Sequence, residues 1–324
     1  MPRPPEPLQP PRTTDVTDYA PVRADDTFRD DVRRLAEAAF AEDLRGGPDW
    51  TSLATVPENA EGVCRIRARK PGIAAGLIAI PTVLDVWSTI GSPVRWEVQH
   101  DDGRSFEAGQ TLAELGGPVR DVLTVERTVL NLLGRLCGIA TATRRYVDAI
   151  GDRPARLYDT RKTTPGLRLL EKYAVRCGGG HNHRHGLHDG ILVKDNHLAL
   201  AAASAEAISL SDAVAAAIDM RGRRIGEHVA PSIVEVEVDT LDQFRRIRSM
   251  DVDIILLDNF TLDDLRIAVE ERDRDGSAVE LEASGNVRLD TVADIAATGV
   301  ERISSGALTH AAASLDLGLD WVEA

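Results

Sequence analysis

The second half of the chain alternates short apolar runs with longer helical stretches, and it does so six times in succession. The apolar runs predict strands at 155–160, 191–194, 232–238, 253–258, 278–283 and 301–305. Helices are predicted between them at 166–177, 198–220, 240–249, 261–271 and 288–298. Near-continuous apolar strands that alternate with helices are typical of a parallel sheet buried on both faces. Six such units favour an open, incomplete parallel α/β barrel, with a doubly wound sheet as the alternative.

The first half has a different order of predicted helices and strands. Residues 1–25 are rich in proline and predict a disordered tail. A helix is predicted to begin at Thr27, and strand-like runs follow at 63–70, 76–80, 94–99 and 111–115. A long helical segment then covers 120–140. We therefore expect a disordered tail over 1–25 and an α+β domain that ends near residue 137.

Polar residues or glycines follow the end of each predicted strand in the second half. In chain order they are Arg161 with Lys162, Lys194, Glu237, Asp258, Ser284 with Gly285, and Ser305 with Gly306. The carboxyl ends of parallel strands meet at one edge of an α/β barrel, and catalytic groups lie at that edge. Cations follow the early strands and carboxylates follow the middle ones. The sequence therefore predicts a site at this edge that combines both charges.

The distribution of charge along the chain indicates which class of ligand this site would bind. The formal net charge is −14, yet residues 161–197 carry seven cations and three anions, a local balance of +4. Only four of the 38 basic residues are lysines, and Lys162, Lys172 and Lys194 all fall in this stretch. A basic stretch in an acidic chain predicts an anion-binding pocket. The alternative is a solvated helix face, because Arg168, Lys172 and Arg176 share one side of a helix.

The same composition argues against several other classes of protein. Nonspecific nucleic-acid binding needs a basic surface, and this chain is acidic overall. The longest apolar run, residues 72–80, is too short to span a bilayer, and the N-terminus lacks the apolar core of a signal peptide. Three widely spaced cysteines suit a reducing compartment. We expect a cytoplasmic protein that binds neither nucleic acid nor membrane.

The carboxylates of the middle strands have two chemical interpretations. Glu237 and Asp258 end neighbouring strands and could hold one Mg²⁺ through oxygen ligands, or could hydrogen-bond ribose hydroxyls. Glu235 shares one face of its strand with Glu237, and in a barrel that face is the interior. Because an unpaired interior carboxylate is costly, we expect a cation or a polyol to pair with each.

Glycines in the last two loops indicate a phosphate site. The loops read ASGN at 283–286 and SSGALTH at 304–310. In α/β barrels these loops commonly bind phosphate through backbone N–H groups, so Gly285, Gly306 and the nearby His310 predict a phosphorylated ligand. Each glycine taken alone is equally typical of a plain turn.

Five of the eight histidines lie within residues 178–197. His181, His183 and His185 alternate, which is compatible with a zinc site. Zinc is the less favoured hypothesis because there is no cysteine pair nearby and Arg184 would stand beside the metal. Histidines next to arginine and lysine are expected instead to hydrogen-bond carboxylates or phosphates.

Several of these stretches, in this order, resemble the quinolinate phosphoribosyltransferases. The resemblance rests on EDLRGGPDWTS (42–52), ERTVLNLLGRLCGIAT (126–141), DTRKTTPGLR (159–168), the block of GGG, NHR, GL and LVKDNH within 178–197, EVEVDT (235–240) and LLDNF (256–260). It implies an N-terminal α/β sandwich domain over 26–137, an open α/β barrel over 138–310, and residues 311–324 returning to the first domain. The implied reaction transfers the phosphoribosyl group of phosphoribosyl pyrophosphate to quinolinate with decarboxylation, using Mg²⁺.

The resemblance also implies roles for single residues. Those expected to meet the two carboxylates of quinolinate are Arg161, His183, Arg184 and Lys194, with Arg127 reaching in from a second subunit of a homodimer. Lys162 would face phosphoribosyl pyrophosphate, and Lys172 would add to the cationic site. Glu237 and Asp258 would serve the ribose hydroxyls and Mg²⁺, and the 5-phosphate would be held by Ser284, Gly285, Gly306 and His310. The pattern leaves His181, His185 and His188 without a role, and Asn286 stands where a second glycine is frequent.

Two alternatives stay open at this point. One is a related phosphoribosyltransferase that acts on nicotinate or another aromatic acid. The other is a barrel that binds anions or a metal without catalysis. The complete set of Arg161, Lys162, Lys194, Glu237 and Asp258 argues against the second alternative. The reaction itself needs little proton transfer, which fits a site rich in fixed cations.

Overall fold

The computed structural model describes residues 18–194, 197 and 209–322. Its first half is built on a four-stranded antiparallel sheet in the order Leu317–Trp321, Glu61–Ala68, Thr111–Pro118, Arg95–Val98. The strands of this half are β1 (Glu61–Ala68), β2 (Gly72–Ile73), β3 (Arg95–Val98), β4 (Ser105–Phe106) and β5 (Thr111–Pro118), with β2 paired to β4. The last strand of the chain, β14 (Leu317–Trp321), pairs with β1, so the end of the chain returns to the first sheet.

Four helices belong to this half of the chain, and the last of them packs against the sheet. They are α1 (Asp26–Leu44), α2 (Trp50–Thr55), α3 (Ile80–Trp87) and α4 (Val119–Ile150). The 32-residue α4 passes through position 137, so one helix belongs to both halves. Gly138 lets the segment at Ala313 pack closely against α4, because a Cβ there would lie 2.1 Å from the Ala313 carbonyl oxygen.

The strand predicted at 76–80 is wrong. Residues Leu77–Ala79 form a 3-10 turn that leads directly into α3. Pro81 occupies the first turn of that helix, where its missing N–H costs nothing. The buried residues Leu77, Ile80 and Leu84 recur at helical spacing, which a short window of apolar residues does not distinguish from a buried strand.

The second half is an open α/β barrel, as predicted. A six-stranded parallel sheet runs in the order β6-β13-β12-β11-β10-β7. Its strands are β6 (Arg156–Tyr158), β7 (Ile191–Val193), β10 (Val234–Val238), β11 (Ile254–Asp258), β12 (Glu280–Ser284) and β13 (Arg302–Ser304). Since β6 and β7 are the two edges, the sheet does not close on itself within the described residues. A short hairpin of β8 (Arg224–Ile225) and β9 (His228–Val229) was not predicted.

The helices of the barrel fall close to the predicted stretches. They are α5 (Arg168–Cys177), α6 (Leu210–Met220), α7 (Leu241–Ile247), α8 (Leu262–Asp275), α9 (Val292–Ala296) and α10 (Ala307–His310). Residues 198–208 of one predicted helix lie outside the described residues. Local signals set several starts: Thr240 and Gln243 form a capping box before α7, and Thr261 caps α8. No helix that the structure describes has the length and apolarity needed to cross a membrane.

Alternation along β10 sorts its side chains into two groups. Val234, Val236 and Val238 are buried with the apolar core. Glu235 and Glu237 point to the opposite face, which is the barrel interior, because successive side chains of a strand alternate. The barrel interior is therefore lined with charge, and every such charge needs a partner or a ligand.

The prediction of a disordered tail over 1–25 is wrong for residues 18–25. Tyr19 and Val22 are 5% and 8% exposed, and the Asp25 side chain accepts the Phe28 N–H at the start of α1. The proline-rich composition concealed two buried side chains in this segment. Residues 1–17 of the predicted tail lie outside the described residues.

Candidate active site

A cavity of about 330 Å³ opens at the carboxyl edge of the six-stranded sheet. Eight of the residues singled out in the sequence line it, namely Arg161, Lys162, His183, Arg184, Lys194, Glu237, Asp258 and Ser284. They come from loops and strand ends distant in the chain. The parallel strands bring them together because each strand ends at the same edge.

Three cations of this pocket have no carboxylate partner among the described residues; we call Arg161, Lys162 and Arg184 the pocket cations. Arg161 Nε is buried with no hydrogen-bond partner that the structure describes. Arg184 is 7% exposed, and within the described part of the chain its guanidinium donates only to the Gly190 carbonyl, at 3.2 Å. Burial lowers the pKa of Arg184, and the nearby Arg161 lowers it further. Buried guanidiniums that lack a protein anion are a signature of an anionic ligand.

The carboxylates of the pocket differ from one another. Glu237 forms an ion pair with Lys194, whose side chain is 38% exposed while that of Glu237 is 11% exposed. Asp258 instead accepts a hydrogen bond from the neighbouring Asn259 amide, at 2.7 Å. The expected partner of interior Glu237 is therefore a protein cation. Asp258 makes no ion pair in the part of the chain that the structure describes.

Beneath the pocket lies a second set of charges; we call His183, Glu235, Glu282 and Arg302 the buried charge network. The Arg302 guanidinium donates to Glu282 at 2.8 Å and lies 3.7 Å from the centre of the Tyr158 ring. His183 Nε2 lies 3.2 Å from Glu235 Oε1 and 3.5 Å from Glu282 Oε1. Glu235, Glu282 and Arg302 are fully buried. Each charge here is balanced by an opposite charge from another strand or loop.

His183 stands between the pocket and this network. Burial opposes a charge on its ring, but the carboxylates of Glu235 and Glu282 outweigh that effect and raise the pKa of His183. Nδ1 accepts the Arg184 N–H at 2.8 Å while Nε2 faces Glu235. Both ring nitrogens thus contact protein groups, and the ring fixes the backbone that carries Arg184.

The ligand geometry of His183, Glu235 and Glu282 also fits a metal ion, since one atom of each lies within 4.8 Å of the others. Arg302 already supplies the positive charge at this position. His181 faces Asp18, and His185 faces the Ala20 carbonyl, so the three alternating histidines do not converge on one point. The arrangement therefore gives no support to a histidine zinc site.

Lys172 does not add its charge to the pocket, which corrects the expected role. Its side chain is fully buried and forms an ion pair with Asp159, and its ammonium also donates to the His183 carbonyl at 2.8 Å. Burial lowers the pKa of Lys172, and Asp159 partly opposes that shift. Asp159 in turn accepts the His183 N–H at 2.8 Å and the Asn182 amide at 2.6 Å. Lys172 and Asp159 hold the loop that carries His183 and Arg184.

The helix that carries Lys172 is not a solvated basic face either. Arg168 and Arg176, which share one side of the helix with Lys172, are both half-buried. They donate to the His185 and Gly180 carbonyls, respectively. This side of the helix therefore packs against residues 178–190, which we call the histidine-rich loop.

The predicted phosphate loops lie at the same edge. Ser284 is in register with Asp258 on the neighbouring strand. Gly285 has φ 84°, and a Cβ there would lie 2.2 Å from Asn259 Oδ1, so this position requires glycine. Asn286 has φ 50° and therefore adopts the left-handed conformation that a glycine would take. A Cβ on Gly306 would lie 2.8 Å from Lys162 Cδ and 3.1 Å from the His310 ring, which places Lys162 and His310 beside this loop.

Arg127 is outside the pocket of its own chain. It lies on α4 with a side chain that is 64% exposed, and its described ion pair is to the adjacent Glu126. A role in catalysis would therefore require a second chain. The residues that sequence reasoning missed are Tyr19, Asp159, Glu282 and Arg302, and the signal for the last two was their alternation in strands already predicted.

Models of known protein families match both halves of this chain. The model of the quinolinate phosphoribosyl transferase C-terminal domain matches residues 139–320. The model of the N-terminal domain of the same family matches residues 49–137. Together they cover most of the chain and divide it within α4.

Individual relatives agree with the family models. The chain is 43% identical over 297 residues to a nicotinate-nucleotide pyrophosphorylase (carboxylating) of Mycobacterium leprae, covering 91% of this chain and 97% of that protein. It is 35% identical to a decarboxylating quinolinate phosphoribosyltransferase of Nicotiana glauca, covering 89% and 82%. The structure of the nicotinate-nucleotide pyrophosphorylase from Francisella tularensis superposes with a TM-score of 0.79 at 35% identity, covering 96% of this chain and all of that one.

Proposed function

The chain belongs to the quinolinate phosphoribosyltransferase family, and on that premise we propose how its own residues carry out the family's reaction. The reaction transfers the phosphoribosyl group of phosphoribosyl pyrophosphate to quinolinate with decarboxylation, in NAD biosynthesis. Its products are nicotinate mononucleotide, CO₂ and pyrophosphate. The observation that carries the residue assignment is the group of unpaired pocket cations beside Asp258 and the glycine loops.

Quinolinate brings two carboxylates, and the pocket offers several cations to meet them. We assign Arg161 and Arg184 to these carboxylates because a guanidinium binds a carboxylate through two parallel hydrogen bonds. Lys194 adds a third cation, held in place by Glu237. His183 lines the same wall and orients Arg184 through the Arg184 backbone N–H. A nicotinate-specific site would need fewer cations, since nicotinate has one carboxylate.

Phosphoribosyl pyrophosphate is assigned to the opposite side of the pocket. The exposed ammonium of Lys162 faces the leaving pyrophosphate, and Glu237 and Asp258 accept hydrogen bonds from the ribose hydroxyls. Ser284, Gly285, Gly306 and His310 surround the 5-phosphate. The support for this side is that Lys162 and His310 both pack beside Gly306.

Asp258 and Glu237 also fit Mg²⁺. Both line the pocket, and Asp258 makes no ion pair in the part of the chain that the structure describes. Hard oxygen ligands of this kind, together with substrate oxygens, are what Mg²⁺ prefers. When bound, the ion neutralises charge on the pyrophosphate group.

The chemistry follows from these positions. The pyridine nitrogen of quinolinate attacks C1 of the ribose while the bond from C1 to the pyrophosphate oxygen breaks. Negative charge develops on pyrophosphate, and the Lys162 ammonium stabilises it. The ring nitrogen is then cationic, so the electron pair left at C2 when CO₂ departs is stabilised next to it. A proton taken up at C2 completes nicotinate mononucleotide.

Mass spectrometry of the products tests this assignment. The purified chain is incubated with phosphoribosyl pyrophosphate, Mg²⁺ and either quinolinate or nicotinate. We expect nicotinate mononucleotide and CO₂ from quinolinate, and at most a trace of product from nicotinate. Equal turnover of nicotinate would favour the related phosphoribosyltransferase, and no turnover of either acid would favour a non-catalytic anion- or metal-binding barrel.

We also propose that the chain is a homodimer whose active sites are shared. The exposed position of Arg127 supports this, since an arginine of the family pattern lies outside the pocket of its own chain. In a two-fold dimer each chain would give its Arg127 to the partner's site. The three cysteines are free and buried, which suits the cytoplasm as the site of action.

Subunit mixing tests the shared sites. Arg127→Ala and Arg161→Ala are each expected to inactivate a homodimer, because each site loses one cation. A mixed dimer would place both lesions in one site and leave the other intact. Random assortment makes about half of the dimers mixed, so activity should return to about a quarter of wild type. If mixed dimers form and stay inactive, Arg127 acts within its own chain.

A further inference from the structure

The segment Asp18–Val22 contacts the histidine-rich loop at successive residues. The Val22 N–H donates to Asn182 Oδ1 at 2.8 Å, and His185 Nε2 lies 2.7 Å from the Ala20 carbonyl oxygen. Asp18 lies 3.5 Å from His181 Nδ1 and 3.6 Å from Arg302. These contacts give a structural role to His181 and His185, which the family pattern leaves without one, because both side chains hold the segment in place.

Tyr19 is the residue that the segment inserts under the active site. Its ring stacks on His183, with centroids 4.9 Å apart and an interplanar angle of 29°. Its hydroxyl donates to Glu235 Oε2 at 3.1 Å, and His183 Nε2 lies 3.1 Å from the same oxygen and 3.2 Å from Glu235 Oε1. Gly190 makes room for it, because a Cβ there would lie 2.8 Å from the Tyr19 ring. Tyr19 therefore touches both His183 and the carboxylate that fixes His183.

We propose that Tyr19, carried by Asp18–Val22, is a positioning residue for quinolinate binding, acting through Glu235 and His183 on Arg184. This rests on the assignment of His183 and Arg184 to the quinolinate side of the pocket. The ring prevents His183 from tilting away from the pocket, and the hydroxyl binds Glu235 Oε2, which itself lies 3.1 Å from His183 Nε2. Arg184 follows because its backbone N–H is bonded to His183 Nδ1.

The geometry predicts which substrate is affected. His183 and Arg184 lie on the quinolinate side, whereas Lys162 and the glycine loops lie on the other side and make no described contact with the segment. Loss of Tyr19 should therefore weaken quinolinate binding and spare phosphoribosyl pyrophosphate. A residue that only stabilised the fold would change the KM of both substrates, or of neither.

The test compares Tyr19→Phe and Tyr19→Ala with wild type, measuring KM for each substrate, kcat and Tm. Tyr19→Phe keeps the stacked ring and loses one hydrogen bond, so the KM for quinolinate should rise roughly 2- to 10-fold. Tyr19→Ala also loses the ring, and the KM for quinolinate should rise on the order of 10- to 100-fold. The KM for phosphoribosyl pyrophosphate should stay within about twofold.

Two controls locate the effect. Tyr146→Phe alters a half-buried tyrosine of α4 that lies outside the pocket, and it should leave both KM values unchanged. A chain that begins at residue 18 keeps the segment whole and should bind quinolinate like wild type. If Tyr19→Ala does not fold, Tyr19→Phe still decides the outcome.

His183→Ala separates this inference from the proposed function. If His183→Ala raises the KM for quinolinate and neither Tyr19 variant does, the positioning role is overturned and the site assignment stands. If His183→Ala leaves that KM unchanged, both are overturned. A rise in both KM values by the same factor in the Tyr19 variants would also overturn the positioning role.

Discussion

The pocket cations and the buried cations of the same barrel have opposite surroundings. Arg161 and Arg184 line the pocket with no carboxylate partner among the described residues. Arg302 and Lys172 are fully buried, yet each is paired with a carboxylate, Glu282 and Asp159 respectively. A buried pair satisfies itself and stabilises one arrangement of the chain, whereas an unpaired cation is left for a ligand. Residue type alone does not tell whether a buried cation stabilises the fold or binds a ligand. The presence or absence of a carboxylate partner does.

The largest effect is expected from breaking a buried pair. Lys172→Met keeps the volume of the side chain but leaves Asp159 buried without its cation. Removing one partner of a buried ion pair typically costs about 3–5 kcal/mol, so the free energy of unfolding should fall by that amount. Urea unfolding followed by circular dichroism measures it.

The double variant Lys172→Met with Asp159→Asn is the control for this experiment. It removes both charges and keeps one amide oxygen, which can accept the His183 N–H, while the bond from the Asn182 amide is lost. We expect it to recover part of the lost stability, because no uncompensated charge remains. A loss below about 1 kcal/mol in the single variant would show that the pair contributes little to stability.

The next effect is expected at a pocket cation, in activity and not in stability. Lys162→Arg keeps the charge and the position of the stem beside Gly306, but replaces a compact ammonium by a planar guanidinium. On the proposed assignment, the variant also lacks the compact ammonium that donates to the leaving pyrophosphate. Loss of one such stabilising group lowers kcat about 10²- to 10³-fold.

The Tm of Lys162→Arg should stay within about 1 °C of wild type, since Lys162 is exposed and unpaired within the described residues. This contrast with Lys172 sharpens the comparison, because two lysines ten residues apart would fail in different assays. Turnover near that of wild type would instead show that any cation suffices at this position.

Much of this comparison was predictable from the sequence, and the part that was not has a physical reason. Strand ends are set by local apolar patterns, so the pocket residues Arg161, Lys194 and Asp258 were found together. The pairing of Lys172 with Asp159 depends on tertiary contact between a helix and a strand end, which spacing along one helix does not reveal. Composition likewise predicted disorder for residues 18–25, where burial of two side chains decides the structure.

A smaller difference is expected among the histidines. His183→Ala removes a ring that touches both sets of charges, leaving Glu235 short of one partner, and should lower kcat/KM by about 10- to 100-fold. His185→Ala removes one bond to the Ala20 carbonyl at the surface of the same loop, and should lower kcat/KM by less than about fivefold. Steady-state kinetics at saturating phosphoribosyl pyrophosphate compares the two, and equal losses would contradict the distinction.

The smallest effect is expected at Asn286, where the chain departs from the family's frequent glycine. Asn286 already has φ 50°, so the phosphate loop has the left-handed backbone that a glycine would provide. Its amide donates to Asn259 Oδ1 at 3.0 Å and links the loops that follow β11 and β12. Asn286→Gly keeps the backbone and loses only this exposed bond, so the KM for phosphoribosyl pyrophosphate should change by less than about threefold.

Asn286→Val is the matched test, because a β-branched residue is strained at positive φ and should raise that KM well beyond the glycine variant. If the two variants behave alike, the backbone of this loop does not shape the proposed 5-phosphate site. The backbone N–H groups of the loop would then contribute less to substrate binding than the pocket cations do.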